Sequence, residues 1–349
     1  MKKLFKTIGL LSTVALLLLS ACKEENTDNW IGNANGADID PYKVEMIKVE
    51  GGTIVIHEYE ELSKQIRFQA TVNDFFIGKY TVTQSQWNAI KDSDYFYGIW
   101  IEEDKGRTFD RGETKFQYDK ISASFPFDGD NLPVVNVSWI DAARFCNALS
   151  RKEGREECYL IYFHYEDVKC QVTDTLIRIS EVVDSVLTLP GRNGYRLPTE
   201  AEWVFAAKGG NKSNNSMYAG SNTVGHVAWY AGNSSGRPSA VGSKLANELG
   251  IFDMSGNVFE WCNDWFASRR SDWVQNNSGK MMSPAGPSKS EADDDGNYRV
   301  VRGGSWSHAD MFSQINSIHN RGSKESDFFD SSFGFRLAHP VLNKCNTKK

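Results

Sequence analysis

The side chains best suited to chemistry lie near the C-terminal end, around a double glycine. Gly303-Gly304-Ser305 is followed by His308, Asp310, Ser313 and His319. His308, Asp310 and His319 carry the donor types of a metal cluster, but their spacing follows no regular zinc-ligand pattern. A hydrogen-bonded loop is the other reading of those three, and Ser305 beside two glycines also reads as a turn residue. Thiol chemistry is a second possibility, since the chain has six cysteines: Cys22, Cys146, Cys158, Cys170, Cys262 and Cys345. None form a CxxC or a zinc spacing. Cys158 and Cys170 flank a strand-like segment and read either as a hairpin disulfide or as two separate thiols. Cys146 falls on the apolar face of a helix and reads as buried. The nucleophile elbow GxSxG, the P-loop, HExxH and a dinucleotide fingerprint are all absent.

The elements that must hold these residues follow from periodicity. Residues 46–56 read as two short strands around Gly51-Gly52, and residues 68–80 as one further strand. Thr83 opens a short helix carrying Trp87 and Ile90. Residues 132–137 are extended. Ser138 then starts a helix with Asp141 in capping-box position, and Ala142, Phe145, Cys146 and Leu149 form its buried face. Thr199 and Glu202 repeat the capping box ahead of a helix that buries Trp203 and Ala206 and stops at Gly209-Gly210. Two segments without a clean helical period, near 93–131 and 155–190, read as insertions, the second as a hairpin. Beyond residue 210 the chain is rich in Gly, Asn, Ser and Trp. With 29 glycines and 10 tryptophans overall, this suggests irregular backbone pinned by aromatic anchors rather than by sheet ladders.

The N-terminus sets the compartment. Lys2, Lys3 and Lys6 precede an apolar run from Ile8 to Leu19, too short to span a bilayer comfortably. It ends at Leu19-Ser20-Ala21-Cys22, the pattern a lipoprotein signal peptidase requires, with Cys22 as the lipidated residue. The expected layout is a signal peptide over 1–21, a polar linker from Cys22 over 22–42, a domain over 43–341 and a tail over 342–349. The net charge of the chain is −6 and loses three lysines with the signal, reaching −9. An acidic protein has no electrostatic reason to bind nucleic acid or anionic lipid, so the lipid must hold it to the membrane. Lys23-Glu24-Glu25 after the lipidation site resembles an acidic signal for export to the cell surface. The expected location is the outer membrane, facing the periplasm or the surface.

Seven segments, in order, resemble the formylglycine-generating-enzyme (sulfatase-modifying factor) family. They are Gly51-Gly52-Thr53, residues 76–83 (FIGKYTVT), 132–139 (LPVVNVSW), 195–203 (YRLPTEAEW), 250–261 (GIFDMSGNVFEW), 302–306 (RGGSW) and 334–338 (GFRLA). The resemblance implies an irregular, loop-rich α+β fold related to C-type lectins. It implies a structural calcium ion at Asn257 and Glu260, which suits oxygen ligands; a hydrogen-bonded turn is the alternative. It also implies where catalysis would sit. Family enzymes oxidise a sulfatase cysteine with a copper(I) ion held by two thiolates, one three residues after the serine of the GGS motif and one five further on. Here those positions are His308 and Ser313, while Ser305 matches the active-site serine. Soft thiolates suit Cu(I), and hydroxyl and imidazole do not replace them. Copper is therefore not expected, and no residue is assigned a catalytic role.

Three functions follow from the resemblance: a non-catalytic envelope lipoprotein that binds a protein or glycan, a formylglycine-generating oxidase, and an enzyme of different chemistry on this scaffold. The missing thiols favour the first.

Overall fold

The computed structural model describes residues 40–41, 43–61, 64–91, 125–169, 176–267, 280–282, 298–314 and 321–341. The expected signal peptide, Cys22 and nearly all of the linker lie outside these residues. So do most of the 93–131 insertion, Cys170, His319, Cys345 and the tail.

The chain opens with β1 (Met46–Val49), β2 (Gly52–Glu61), β3 (Lys64–Val72) and β4 (Phe75–Gly78). Residues 68–80 thus form parts of two strands, not one. The break falls at Asn73-Asp74, where Asp74 Oδ1 accepts the Gly51 N–H at 2.8 Å. Asp and Asn favour turns because their short side chains bond nearby backbone. Helix α1 (Gln84–Lys91) buries Trp87 and Ile90. The expected extended run 132–137 is interrupted at Asn136, whose φ of 56° is left-handed, and among the described residues it pairs through a single bridge, Pro133 to Thr83. Helix α2 (Trp139–Lys152) starts in a complete Ser138–Asp141 capping box and buries the predicted face.

The second insertion is a hairpin. β5 (Tyr159–Lys169) pairs antiparallel with β6 (Leu176–Thr188). Cys158, just before β5, is a buried free thiol, and Cys170, its candidate partner, lies outside the described residues. Cys146 and Cys262 are buried and free as well, with burial pushing both thiols well above their usual range.

Helix α3 (Glu200–Ala207) follows, capped by Thr199 and Glu202. The remaining elements are the one-turn α4 (Val224–Val227), then β7 (Phe259–Trp265), β8 (Lys280–Met282), β9 (Tyr298–Arg302), β10 (Arg321–Glu325), β11 (Phe333–Gly334) and β12 (Ala338–Pro340). The C-terminal half is more ordered by ladders than its composition suggested. Its sheet runs β10-β9-β7-β11, antiparallel except for β11 on β7. A second sheet, β1-β4-β12, joins the two ends of the domain, and β2-β3-β8 forms a third.

Two cores fill the fold. One gathers Trp87, Trp139, Phe145, Trp261 and Phe335 between α1, α2 and the C-terminal sheet. The other gathers Phe75, Ile77, Trp203, Phe205 and Met254 around α3. Trp87, Trp139, Trp203 and Trp261 are all fully buried. The indole N–H of Trp139 reaches the Cys262 carbonyl at 2.9 Å and that of Trp261 the Val137 carbonyl at 3.0 Å. Such a tryptophan contributes apolar burial and ties irregular backbone at the same time.

Candidate functional site

The site is built on the turn after β9. Gly303 and Gly304 have φ of 103° and 77°, a region that side chains other than glycine rarely adopt. A Cβ on Gly304 would also come within 2.8 Å of the Phe312 backbone and of Ser313 Oγ. That close approach folds the following segment back, so that Phe312 and Ser313 lie against Gly304 and His308 meets Ser305.

Ser305 is fully buried. Its Oγ lies 2.6 Å from His308 Nδ1 and 3.1 Å from Ser307 Oγ, and Ser307 Oγ lies 3.0 Å from the same nitrogen. The imidazole is wedged edge-on between Phe259 (4.9 Å) and Phe312 (5.2 Å). Burial holds its pKa below the usual histidine value, with Asp330 opposing weakly and Lys324 adding to the shift. Burial thus favours the neutral ring, whose Nδ1 stands within hydrogen-bond distance of two serine hydroxyls. Ser313 Oγ is buried and meets no hydrogen-bond partner among the described residues, while the Ser313 carbonyl accepts Ser255 Oγ at 2.8 Å.

This donor set does not fit a cuprous ion. One hydroxyl is a hard, weak ligand, and among the described residues the imidazole nitrogen at the site, His308 Nδ1, is engaged by two serines. Asp310 and His308 do not combine into a metal cluster either. The Asp310 carboxylate accepts the Tyr218 hydroxyl at 3.1 Å, and no group of three or more His, Cys, Asp or Glu suited to a metal occurs among the described residues.

Asn257 and Glu260 sit behind this turn. Asn257 has φ 63°, a left-handed conformation that asparagine tolerates better than most residues. Its amide clasps Ser239 from both sides, accepting the N–H at 3.0 Å and donating to the carbonyl at 3.0 Å. Its backbone carbonyl accepts the Trp306 N–H at 2.8 Å, and its own N–H reaches the Trp229 carbonyl at 2.7 Å. Asn257 is thus the knot that joins three loops to the GGS turn. Glu260 is fully buried; its two oxygens take Arg336 Nη2 and Nε at 2.6 Å each, and Trp203 Nε1 also at 2.6 Å. With both carboxylate oxygens facing cationic or N–H donors and the Asn257 oxygen taken by Ser239, these side chains do not fit a calcium site as they are placed.

Two further features carry no signal in the sequence motifs. Arg299 is stacked between Trp139 and Trp265, at 3.6 and 3.2 Å from the ring centroids, and donates to the Asn263 carbonyl at 2.7 Å. Burial lowers its pKa to about 9, against raising contributions from Tyr159 and Asp264. Asp253, at φ 58°, is buried with its carboxylate on the Gly242 N–H at 2.8 Å, and burial raises its pKa to about 6. The stacking partners of Arg299 come from residues 139 and 265, and no local pattern around 298–302 announces them. Nothing in the sequence hinted at the second.

With this geometry in hand, the chain is placed by comparison: it belongs to the family of the sulfatase-modifying factor enzyme 1-like domain, whose model matches residues 37–341. Over 326 residues it is 32% identical to the chaperone protein LppX of Paenibacillus barcinonensis, covering 85% of this chain and 99% of that protein. It is 31% identical to the formylglycine-generating enzyme of Streptomyces coelicolor over 159 residues, 42% of this chain and 47% of the enzyme. Among solved structures it resembles Treponema denticola variable protein 1, with a TM-score of 0.59, 26% identity, and coverage of 85% of this chain and 95% of that one. The expected loop-rich α+β fold is thereby established. Among the described residues no helix is long and apolar enough to cross a membrane.

Proposed function

We propose that this chain is a lipoprotein of the cell envelope, anchored through Cys22, whose sulfatase-modifying-factor scaffold holds a partner protein and performs no cysteine oxidation. The observation that carries this reading is the content of the two thiolate positions. His308 Nδ1 is hydrogen-bonded to Ser305 Oγ at 2.6 Å, and Ser313 Oγ is buried against Gly304. A scaffold retained from end to end around a site without its sulfur ligands has a use other than that chemistry. The likeness to a chaperone protein along 99% of that protein's length points to a polypeptide, rather than a glycan, as what is held. The leader and the acidic residues after Cys22 support an outer-membrane location.

Two measurements test this together. Purified mature chain is incubated with Cu(I), oxygen and a peptide carrying Cys-x-Pro-x-Arg, and the peptide mass is followed. The expected result is unchanged cysteine; conversion to the aldehyde overturns the reading. In parallel, the chain is titrated into a thermally unfolding reporter enzyme. Suppressed aggregation at near-stoichiometric amounts is expected, and no suppression counts against the holding role.

A further inference from the structure

The β5–β6 hairpin stands apart from the rest of the fold in what its backbone leaves on offer. The two strands pair with each other from Tyr159–Thr188 at the base to Lys169–Leu176 at the far end, and among the described residues no third strand joins either of them. In an antiparallel ladder each strand turns about half of its N–H and C=O groups toward its partner and the other half outward. Beyond the base, where Asn147 takes the Tyr159 groups, both flanks of the hairpin therefore present a row of backbone donors and acceptors that no strand among the described residues pairs. Only another extended backbone repeats at the spacing that satisfies such a row. A glycan or a folded surface does not.

The base of the hairpin is held firmly enough to act as a mount. Asn147 on α2 brackets Tyr159, donating to its carbonyl at 2.7 Å and accepting its N–H at 3.1 Å. The Tyr159 hydroxyl reaches Asn263 Oδ1 at 2.9 Å, and the Leu189 N–H reaches the Cys158 carbonyl at 2.8 Å. Ile161 and Val186 pack on the core, whereas Leu187, paired with Leu160, is 50% exposed. The strands are also apolar for their position: 7 of the 11 residues of β5 and 7 of the 13 of β6 are aliphatic or aromatic. Two register shifts, at Tyr162/Phe163 and Glu166/Asp167, divide the ladder into short runs. Bulges of this kind prevent an edge from pairing along its whole length, the arrangement that leads to irreversible sheet growth. Short runs suit weak, reversible pairing.

We propose that the β5–β6 hairpin is a docking edge that captures extended segments of unfolded polypeptide by strand addition. This rests on the holding role proposed above and assigns it to a place on the molecule.

The test uses the full mature chain and, as probe, reduced and carboxymethylated α-lactalbumin. Amide hydrogen exchange is measured with and without the probe. Slowed exchange confined to 159–169 or 176–188 is expected. A second chain carries a shortened hairpin, in which an Asn-Gly turn joins Tyr162 directly to Ser185, keeping the anchored base. It is expected to melt cooperatively near the parent temperature and to lose probe binding. Retained binding by the shortened chain, or protection elsewhere on the surface, overturns the docking edge and leaves the holding role standing. Protection of the hairpin that grows with the concentration of the chain alone identifies a second copy as the occupant and also overturns it. No binding of the probe by the full chain overturns both proposals.

Discussion

Glu260 and Arg336 form a fully buried ion pair, with Arg336 Nε and Nη2 each 2.6 Å from a different carboxylate oxygen. Arg336 also donates to the Gly78 carbonyl at 3.0 Å and the Phe252 carbonyl at 2.9 Å. The pair thereby ties β7 to β4, to the loop before Asp253 and, through Trp203 Nε1, to α3. Its net contribution relative to apolar residues is small, because both charges are desolvated, but removing one partner strands the other. The substitution Arg336→Met is predicted to destabilise the domain by about 3–5 kcal/mol, read from the urea midpoint. The double substitution Arg336→Met with Glu260→Leu should recover part of that loss, because no lone charge remains. A double variant as unstable as the single one would show that the carbonyl contacts, not the ion pair, dominate.

Asp253 is predicted to be a stability sensor near pH 6. Its pKa in the fold is raised from 3.8 to about 6 by burial. A group raised in this way contributes stability that is fully present below its unfolded value and lost as pH rises through its folded one. Asp253→Asn keeps an acceptor for the Gly242 N–H and a residue type that tolerates positive φ. The variant should match the parent near pH 4 and exceed it by up to about 3 kcal/mol above pH 7, since a shift of one pKa unit is worth ~1.4 kcal/mol. His308 and His339 act in the opposite sense. Both are lowered by burial, so their contribution is present at neutral pH and lost as pH falls through the imidazole range. The parent alone would show a partial cancellation, and the difference curve between parent and Asp253→Asn isolates the carboxyl.

Ser313→Ala should stabilise the domain. The Ser313 hydroxyl is buried without a hydrogen-bond partner among the described residues, and an unsatisfied buried polar group costs about 1–3 kcal/mol. Alanine removes the oxygen and adds nothing against Gly304. A gain of about 1 kcal/mol in chemical denaturation is expected. A loss instead would mean that the hydroxyl meets a ligand in solution.

The helices were legible in the sequence because their signals are local. Ser138–Asp141 and Thr199–Glu202 are each decided within four residues, and both capping boxes are present in the structure. The gathering of Ser305, His308 and Ser313 was legible only through the family motif, since no spacing rule foretells that Gly304 would pack against Phe312 and Ser313. The opposite case is Asn257 and Glu260. Their types allowed a cation, yet the partners that occupy them, Ser239 and Arg336, lie 18 and 76 residues away. Long-range partners of that kind leave no periodic trace. The C-terminal sheet escaped notice for a similar reason: β10 and β11 are short, polar or glycine-bearing, and acquire strand geometry from β9 and β7 rather than from their own propensity.

The double substitution His308→Cys with Ser313→Cys asks whether the scaffold still holds the geometry that its side chains have abandoned. Two thiolates select Cu(I) strongly, and one does so poorly. If the turn after Gly304 keeps positions 308 and 313 facing one point, the double variant should bind a single Cu(I) tightly in competition with a chromogenic chelator, and each single variant should not. Replacing the imidazole also opens space between Phe259 and Phe312, so a modest loss of stability should accompany the gain of metal. A double variant that folds but takes up no copper would place the two positions too far apart or at the wrong angle. The departure from the copper-dependent enzymes would then lie in the backbone of the turn as well as in its side chains.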